Sequence, residues 1–267
     1  MSPPPLNTWL DTLRAAAPVQ GTILIGAGAG YGPLVQWLLQ SPAAPTWLIE
    51  ADESLFEILR RNLPARDGWS ARHEVVAPVS EPVRFHQSNI PTEGSLIPAS
   101  DLRALWPNLQ AADPDNAADP QPGITLASLI SAAPGPANWL MLDCLPAAAL
   151  LQSAGAALAR LDVILARVVT SGTFAVPAAR HNTVDALLQE AGFRCVHLSG
   201  ERHPSLALAL YVRDHRAALA ASRSRVEQQD AEIHDLKHRV GLQREELGKA
   251  EEQISLIKDL KRQGLLS

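Results

Sequence analysis

The chain has 267 residues, 46% of them hydrophobic, and a formal net charge of −5, enough for one sizeable α/β core and an added element. It contains no run of roughly eighteen apolar residues, which excludes a membrane-spanning helix. Residues 1–214 lack lysine and carry 13 arginines against 19 acidic residues; so acidic a core releases few counterions, which argues against nucleic acid as a partner.

The opening Met1-Ser-Pro-Pro-Pro lacks the basic and apolar regions of a signal peptide, and Cys144 and Cys195 read as separate buried thiols rather than a bridge. A reducing cytoplasm is the expected location. Residues 6–16 predict a short amphipathic helix. Strand 22–26, helix 31–40, strand 46–50 and helix 53–63 then alternate as βαβα, the mark of a parallel sheet with right-handed crossovers. Residues 72–77 are expected as a third strand and 83–87 as an extended piece, and 107–122, rich in Pro, Asp, Asn and Ala, as a mobile loop that can act as a lid.

Order resumes at Ile124, with a short helix and then a fourth strand over 138–143. Helix 147–159, strand 161–169 and helix 181–191 follow. Two further apolar runs, 192–198 and 205–212, have no helix between them and should pair as an antiparallel hairpin. The fold class is therefore α/β: a Rossmann-like, doubly wound, mostly parallel sheet over 1–213. From 214 onward Leu219, Val226, Ile233, Val240, Leu247 and Ile254 recur every seventh residue, while the positions three further on are half polar. That pattern predicts a long coiled-coil helix over 214–267, for self-association or for pairing with another coiled coil.

The chemistry is expected at Thr22-Ile-Leu-Ile-Gly26-Ala-Gly28-Ala-Gly30, where a β-run breaks into glycines before a helix and bare backbone becomes approachable. A second β-run ends in Glu50, which places a carboxylate beside the same crevice as acceptor for two ribose hydroxyls. Both dinucleotides and S-adenosylmethionine use this pairing. A dinucleotide fingerprint needs glycine where this chain has Tyr31 or Pro33, so an NAD-dependent oxidoreductase fits poorly.

Leu24–Gly30, Trp47–Asn62 and Trp139–Asp143 resemble FkbM-type S-adenosylmethionine-dependent methyltransferases, as do the piece ending at His86 and the Thr125-Leu126 pair. The resemblance spans roughly 20–212 and implies a Rossmann-like O-methyltransferase acting on a sugar, glycan or other small molecule. It implies that Gly26, Ala27, Gly28 and Gly30 lie against the methionine part of the cofactor. Glu50 would take the ribose and Asp143 would stand near the transferring methyl group. The chain departs from the family at Leu24 and Arg167, where the family usually carries an acid, and at Cys144-Leu145-Pro146, where it usually continues with valine, glutamate and glycine.

Asp143 is the candidate catalytic residue; its competing reading is a cap on the helix that begins near Pro146. His86, His181 and His203 are possible bases, and Ser95 lies where a lid could close. Tyr31 and Trp37 read as packing residues, and no Cys/His/Asp spacing resembles a metal site. Two functions follow: an S-adenosylmethionine-dependent O-methyltransferase, or a catalytically inactive methyltransferase-fold scaffold that works through its coiled-coil tail.

Overall fold

Thr22-Ile-Leu-Ile25 and Thr46-Trp-Leu-Ile-Glu50 are buried along their whole length, as strands covered on both faces must be. The computed structural model describes residues 4–41, 44–112, 119–133 and 135–262. The first half runs α1 (Leu6–Ala16), β1 (Thr22–Ile25), α2 (Pro33–Gln40), β2 (Thr46–Glu50), α3 (Glu53–Asn62), β3 (Trp69–His73) and β4 (Val75–Val76). Then come a single turn α4 (Ala99–Leu102), β5 (Gly123–Ile124), α5 (Leu126–Ala132), β6 (Trp139–Leu142), α6 (Ala147–Ala154), β7 (Val163–Val169), α7 (His181–Glu190), β8 (Phe193–Gly200) and β9 (Leu206–Arg213). The final helix is α8 (His215–Arg262).

Seven strands form the main sheet in the order β3-β2-β1-β6-β7-β9-β8. The first five pair in parallel, and β9 enters antiparallel between β7 and β8. Because side chains alternate along a strand, Ile23 and Ile25 face one layer and Leu24 the other. Ile23, Ile25, Leu140, Leu142, Ile164 and Ala166 pack with α5, α6 and α7. Leu24, Leu48, Trp139, Met141 and Leu165 pack with α1 and α2, where Trp37 stacks on Trp139. This is the expected doubly wound, Rossmann-like sheet with its terminal hairpin.

Three local expectations are corrected. The third strand is not 72–77: β3 occupies the sheet edge, and β4 leaves it to pair with β5. Val75 and Val76 are consecutive and both buried, and β4 pairs with β5 away from the main sheet's edge. The helix expected over 147–159 stops at Ala154, where Gly155 takes a positive φ and the chain tightens into a 3-10 turn over Gly155–Arg160.

The loop expected over 107–122 is in part anchored. Residues 113–118 lie outside those described, but Leu109 is fully buried with Ile97, Leu102, Leu105, Leu145, Phe174 and Leu206 in a third apolar cluster. Asn89 locks the segment further, donating to the Asn108 carbonyl and accepting from the Gln110 amide. Residues 90–109 thus form a packed roof over the C-terminal ends of β6 and β7.

The chain forms two compact units that divide after Asp214. In the second unit α8 runs 48 residues, about 70 Å at 1.5 Å per residue. Its heptad residues Leu219, Val226, Ile233, Val240, Leu247 and Ile254 each have roughly half their surface exposed. No described helix is long and apolar enough to cross a membrane.

Candidate functional site

The strand order reverses between β1 and β6, and such a switch point leaves a crevice outside the carboxyl ends of the strands. A cavity of about 830 Å³ lies there, lined by Gly26, Ala27, Gly28, Glu50, Asp143, Arg167 and the roof. Five of the six expected site residues converge on it. Gly30 does not line it.

The three glycines serve different ends. Gly26 has φ +81°, and a Cβ there would sit 2.6 Å from the Asp143 carbonyl oxygen, so it exists to let β1 meet the end of β6. Gly30, at φ +85°, faces α3, where a Cβ would press on Leu59 at 3.0 Å. Of the three, only Gly28 (φ +58°) has open space where a side chain would be, and with Gly32, equally open on the crevice wall, it offers bare backbone to a ligand. We predict that Gly26→Ala unfolds at clearly lower urea concentration, by more than about 1 kcal/mol, because strain and clash combine. Gly28→Ala should lose only the strain.

Glu50 is buried and already engaged. Its Oε2 accepts from the Gly28 amide at 2.7 Å, and its Oε1 accepts from the amides of Ala51 at 2.8 Å and Asp52 at 2.9 Å. Burial raises its pKa above the usual carboxylate value, and the three amides oppose that rise. Asp52 caps α3 by accepting from the Leu55 amide, so β2 and α3 are fixed around this carboxylate. Glu74 follows β3 beside Glu50 and pairs with Arg72 through Oε1. Its Oε2 is buried, belongs to a crevice-lining residue and has no hydrogen-bond partner.

Asp143 does not cap α6, whose N-terminus has no side-chain cap. Its carboxyl is pushed up to about 6, first by burial and then by the negative charges of Glu201, Glu93 and Glu50, with Arg167 acting in the opposite sense. Arg167, a family departure in sequence, proves to be the hub of the crevice. Its guanidinium donates to Glu201 at 2.8 and 2.9 Å and to Glu93 at 3.0 Å, and lies 4.0 Å from Asp143. Burial works against its charge, yet Glu201, Glu93 and Asp143 outweigh it and hold its pKa above the usual value. The Trp106 ring lies 5.6 Å from the guanidinium.

Other expected residues fall variously. His203 lines the crevice and tilts against Trp106, its Nδ1 accepting from the Ser205 amide. His86 pairs by backbone with Ser95, outside the lining residues, and burial and then Arg84 lower its pKa. His181 sits on α7, also outside the lining residues. Ser95 is buried, donating to the Leu145 carbonyl and accepting from the Ile97 amide, so it pins the roof to the segment after β6. Trp37 is core, but Tyr31 is 67% exposed on the crevice wall and is not a packing residue. Leu24 is core, and the Cys144 thiol is pushed up to about 12 by burial, then by Asp143, which leaves it protonated at neutral pH. Sequence reasoning missed Glu74, Glu93, Glu201 and Trp106.

Fold and crevice together define a Rossmann-like, doubly wound α/β protein with a ligand cleft at its switch point. No protein-family model matches the chain, and no curated protein matches it. Among solved structures it is similar to an O-methyltransferase from Bacillus cereus in complex with SAH, at 14% identity, covering 80% of this chain and 83% of that one, TM-score 0.44. It is also similar to a putative O-methyltransferase from Klebsiella pneumoniae (15% identity, 78% and 79% covered, TM-score 0.43). A third likeness is to magnesium protoporphyrin IX methyltransferase from Synechocystis with bound SAM (11% identity, 78% and 76% covered, TM-score 0.38). Overlap this loose carries no argument about activity.

Proposed function

We propose that the crevice binds S-adenosylmethionine and that the chain is a methyltransferase of the FkbM-like, O-methylating kind. The observation that carries this is the pairing of open backbone at Gly28 with the Glu50 carboxylate at a switch-point crevice of about 830 Å³. The residues present fit the cofactor. Glu50 offers a carboxylate to a ribose diol, and the partnerless Glu74 Oε2 offers an acceptor to an exocyclic amine. When bound, S-adenosylmethionine supplies an electrophilic methyl group.

The chain's own residues do the rest. Phe85, Leu145, Leu206 and Trp106 line the crevice and exclude water. Asp143 stands at the end of β6 to accept the proton of an acceptor hydroxyl, and a carboxyl titrating near 6 suits that task at neutral pH. Arg167 and its two carboxylates orient the acceptor. Calorimetric titration of the full chain with S-adenosylhomocysteine tests the proposal. Binding is expected, weakened about tenfold to a hundredfold by Glu50→Ala, the worth of one or two charge-assisted hydrogen bonds. A parent chain that shows no heat at high concentration would refute it.

A second reading, an inactive scaffold, draws on Arg167, which fills the acceptor end of the crevice with a closed ion cluster. Methyl transfer to any acceptor in a lysate would defeat it.

For the tail we propose coiled-coil pairing. In a parallel, in-register self-dimer the flanking charges give two attractive contacts, Arg225 with Asp230 and Glu232 with Lys237. They also give two repulsive ones, Arg239 with Arg244 and Glu246 with Glu251. Charge thus gives no net drive to that parallel self-pairing. Truncation after residue 214 should leave a folded monomer by sedimentation. The double change Arg244→Glu with Glu251→Lys makes every such contact attractive, and should tighten parallel self-association by on the order of 1–2 kcal/mol. An unchanged mass in both variants would remove the tail from assembly.

A further inference from the structure

A second cluster of polar atoms lies outside the crevice lining, where α7 packs on the terminal hairpin. His181 and Asp185 are four apart on α7 and so share one helix face. Cys195 comes from β8, directly opposite Tyr211 of β9, with a bulge between Cys195 and His197 that re-aims the strand. One ligand atom from each of His181, Asp185 and Cys195 lies within 4.8 Å of the other two.

The Cys195 thiol donates to the His197 carbonyl at 3.6 Å, but the polar atoms around it are poorly satisfied by protein. His181 Nε2, Asp185 Oδ1 and the Tyr211 hydroxyl are all buried without a hydrogen-bond partner, and Tyr211 is 0% exposed. Partnerless buried polar atoms each cost about 1–3 kcal/mol, so several at one point call for an occupant. Asp185 is already oriented, since its Oδ2 accepts from Gln189 Nε2 at 2.7 Å, the kind of outer brace that ligating carboxylates carry.

We propose that His181, Asp185 and Cys195 bind a divalent transition-metal ion of the zinc class. An imidazole nitrogen, a carboxylate oxygen and a thiolate sulfur are the donor set that such ions favour, and three protein ligands leave one position for Tyr211 or water. Charge balances: the thiol proton passes to solvent on binding, and thiolate plus carboxylate neutralise the dication. The site ties α7 to the hairpin and is separate from the methyl-transfer proposal.

The test is anaerobic titration of the chelator-stripped full chain with Co²⁺. Expected are visible bands and a near-ultraviolet thiolate-to-cobalt band at one equivalent, bleached by Zn²⁺ and kept by Cys144→Ser. Cys195→Ser should abolish the thiolate band, and His181→Ala or Asp185→Asn should weaken binding by roughly tenfold or more. At equal Zn²⁺ the melting temperature should rise clearly more in the parent than in Asp185→Asn, a variant that preserves size should Cys195→Ser fail to fold. Absence of the thiolate band in the parent, or its persistence in Cys195→Ser, overturns the proposal.

Discussion

Arg167→Leu is expected to destabilise the chain by on the order of 3–5 kcal/mol at neutral pH, read as a lower urea midpoint. Arg167 is 11% exposed by side chain, against 13% for Glu93 and 23% for Glu201, so its removal strands two carboxylates where water reaches them poorly. Most of the loss comes from those two orphaned charges rather than from the bonds themselves. Arg167→Met with Glu93→Gln and Glu201→Gln removes all three charges and should recover most of it. Lower pH should also recover part in Arg167→Leu, since burial already raises the Glu93 pKa in the parent and loss of Arg167 raises it further. A single variant as stable as the parent would show that the cluster is solvated rather than buried.

Asp143→Asn is expected to stabilise the fold while it removes the proposed proton acceptor. The folded carboxyl titrates near 6, above its ordinary 3.8, so the folded state holds this proton more tightly than the unfolded state does. Its cost is therefore absent below about pH 4, grows as pH rises through 4 to 6, and is constant above. The variant should gain on the order of 1–2 kcal/mol at pH 7 to 8, after allowance for water at the carboxylate, and nothing near pH 4. Thermal unfolding at the two pH values checks it. In the same frame, transfer to a hydroxyl should rise with pH through about 6 in the parent, and fall about 10²- to 10⁴-fold in Asp143→Asn. An equal gain at both pH values would mean that Asp143 is not the group responsible.

Much of the fold was legible because its signals are local. Buried β-runs of four or five residues and the glycine turn each declare themselves within a short window. Glu50 was legible for the same reason: a carboxylate that ends a strand beside a glycine turn has one place to go. The β3–β4 break was not, because it depends on β5 arriving from almost fifty residues downstream. The ion cluster escaped for a stronger form of that reason. Glu93 and Glu201 stand 74 and 34 residues from Arg167, on a roof segment and after the β8 strand, and nothing near either acid tells where it lands. Read alone, Arg167 looked like a lost acid. The α7 cluster shows the same limit, since Cys195 meets His181 and Asp185 only through the bulged hairpin.

Glu50 holds the glycine turn and the start of α3 through three backbone amides. Selection for folding alone would therefore retain this acid through generations of drift. A descendant without the proposed transfer chemistry would still inherit the same hollow, already sculpted. Wherever this acid recurs beside such a turn, architecture is reason enough for it.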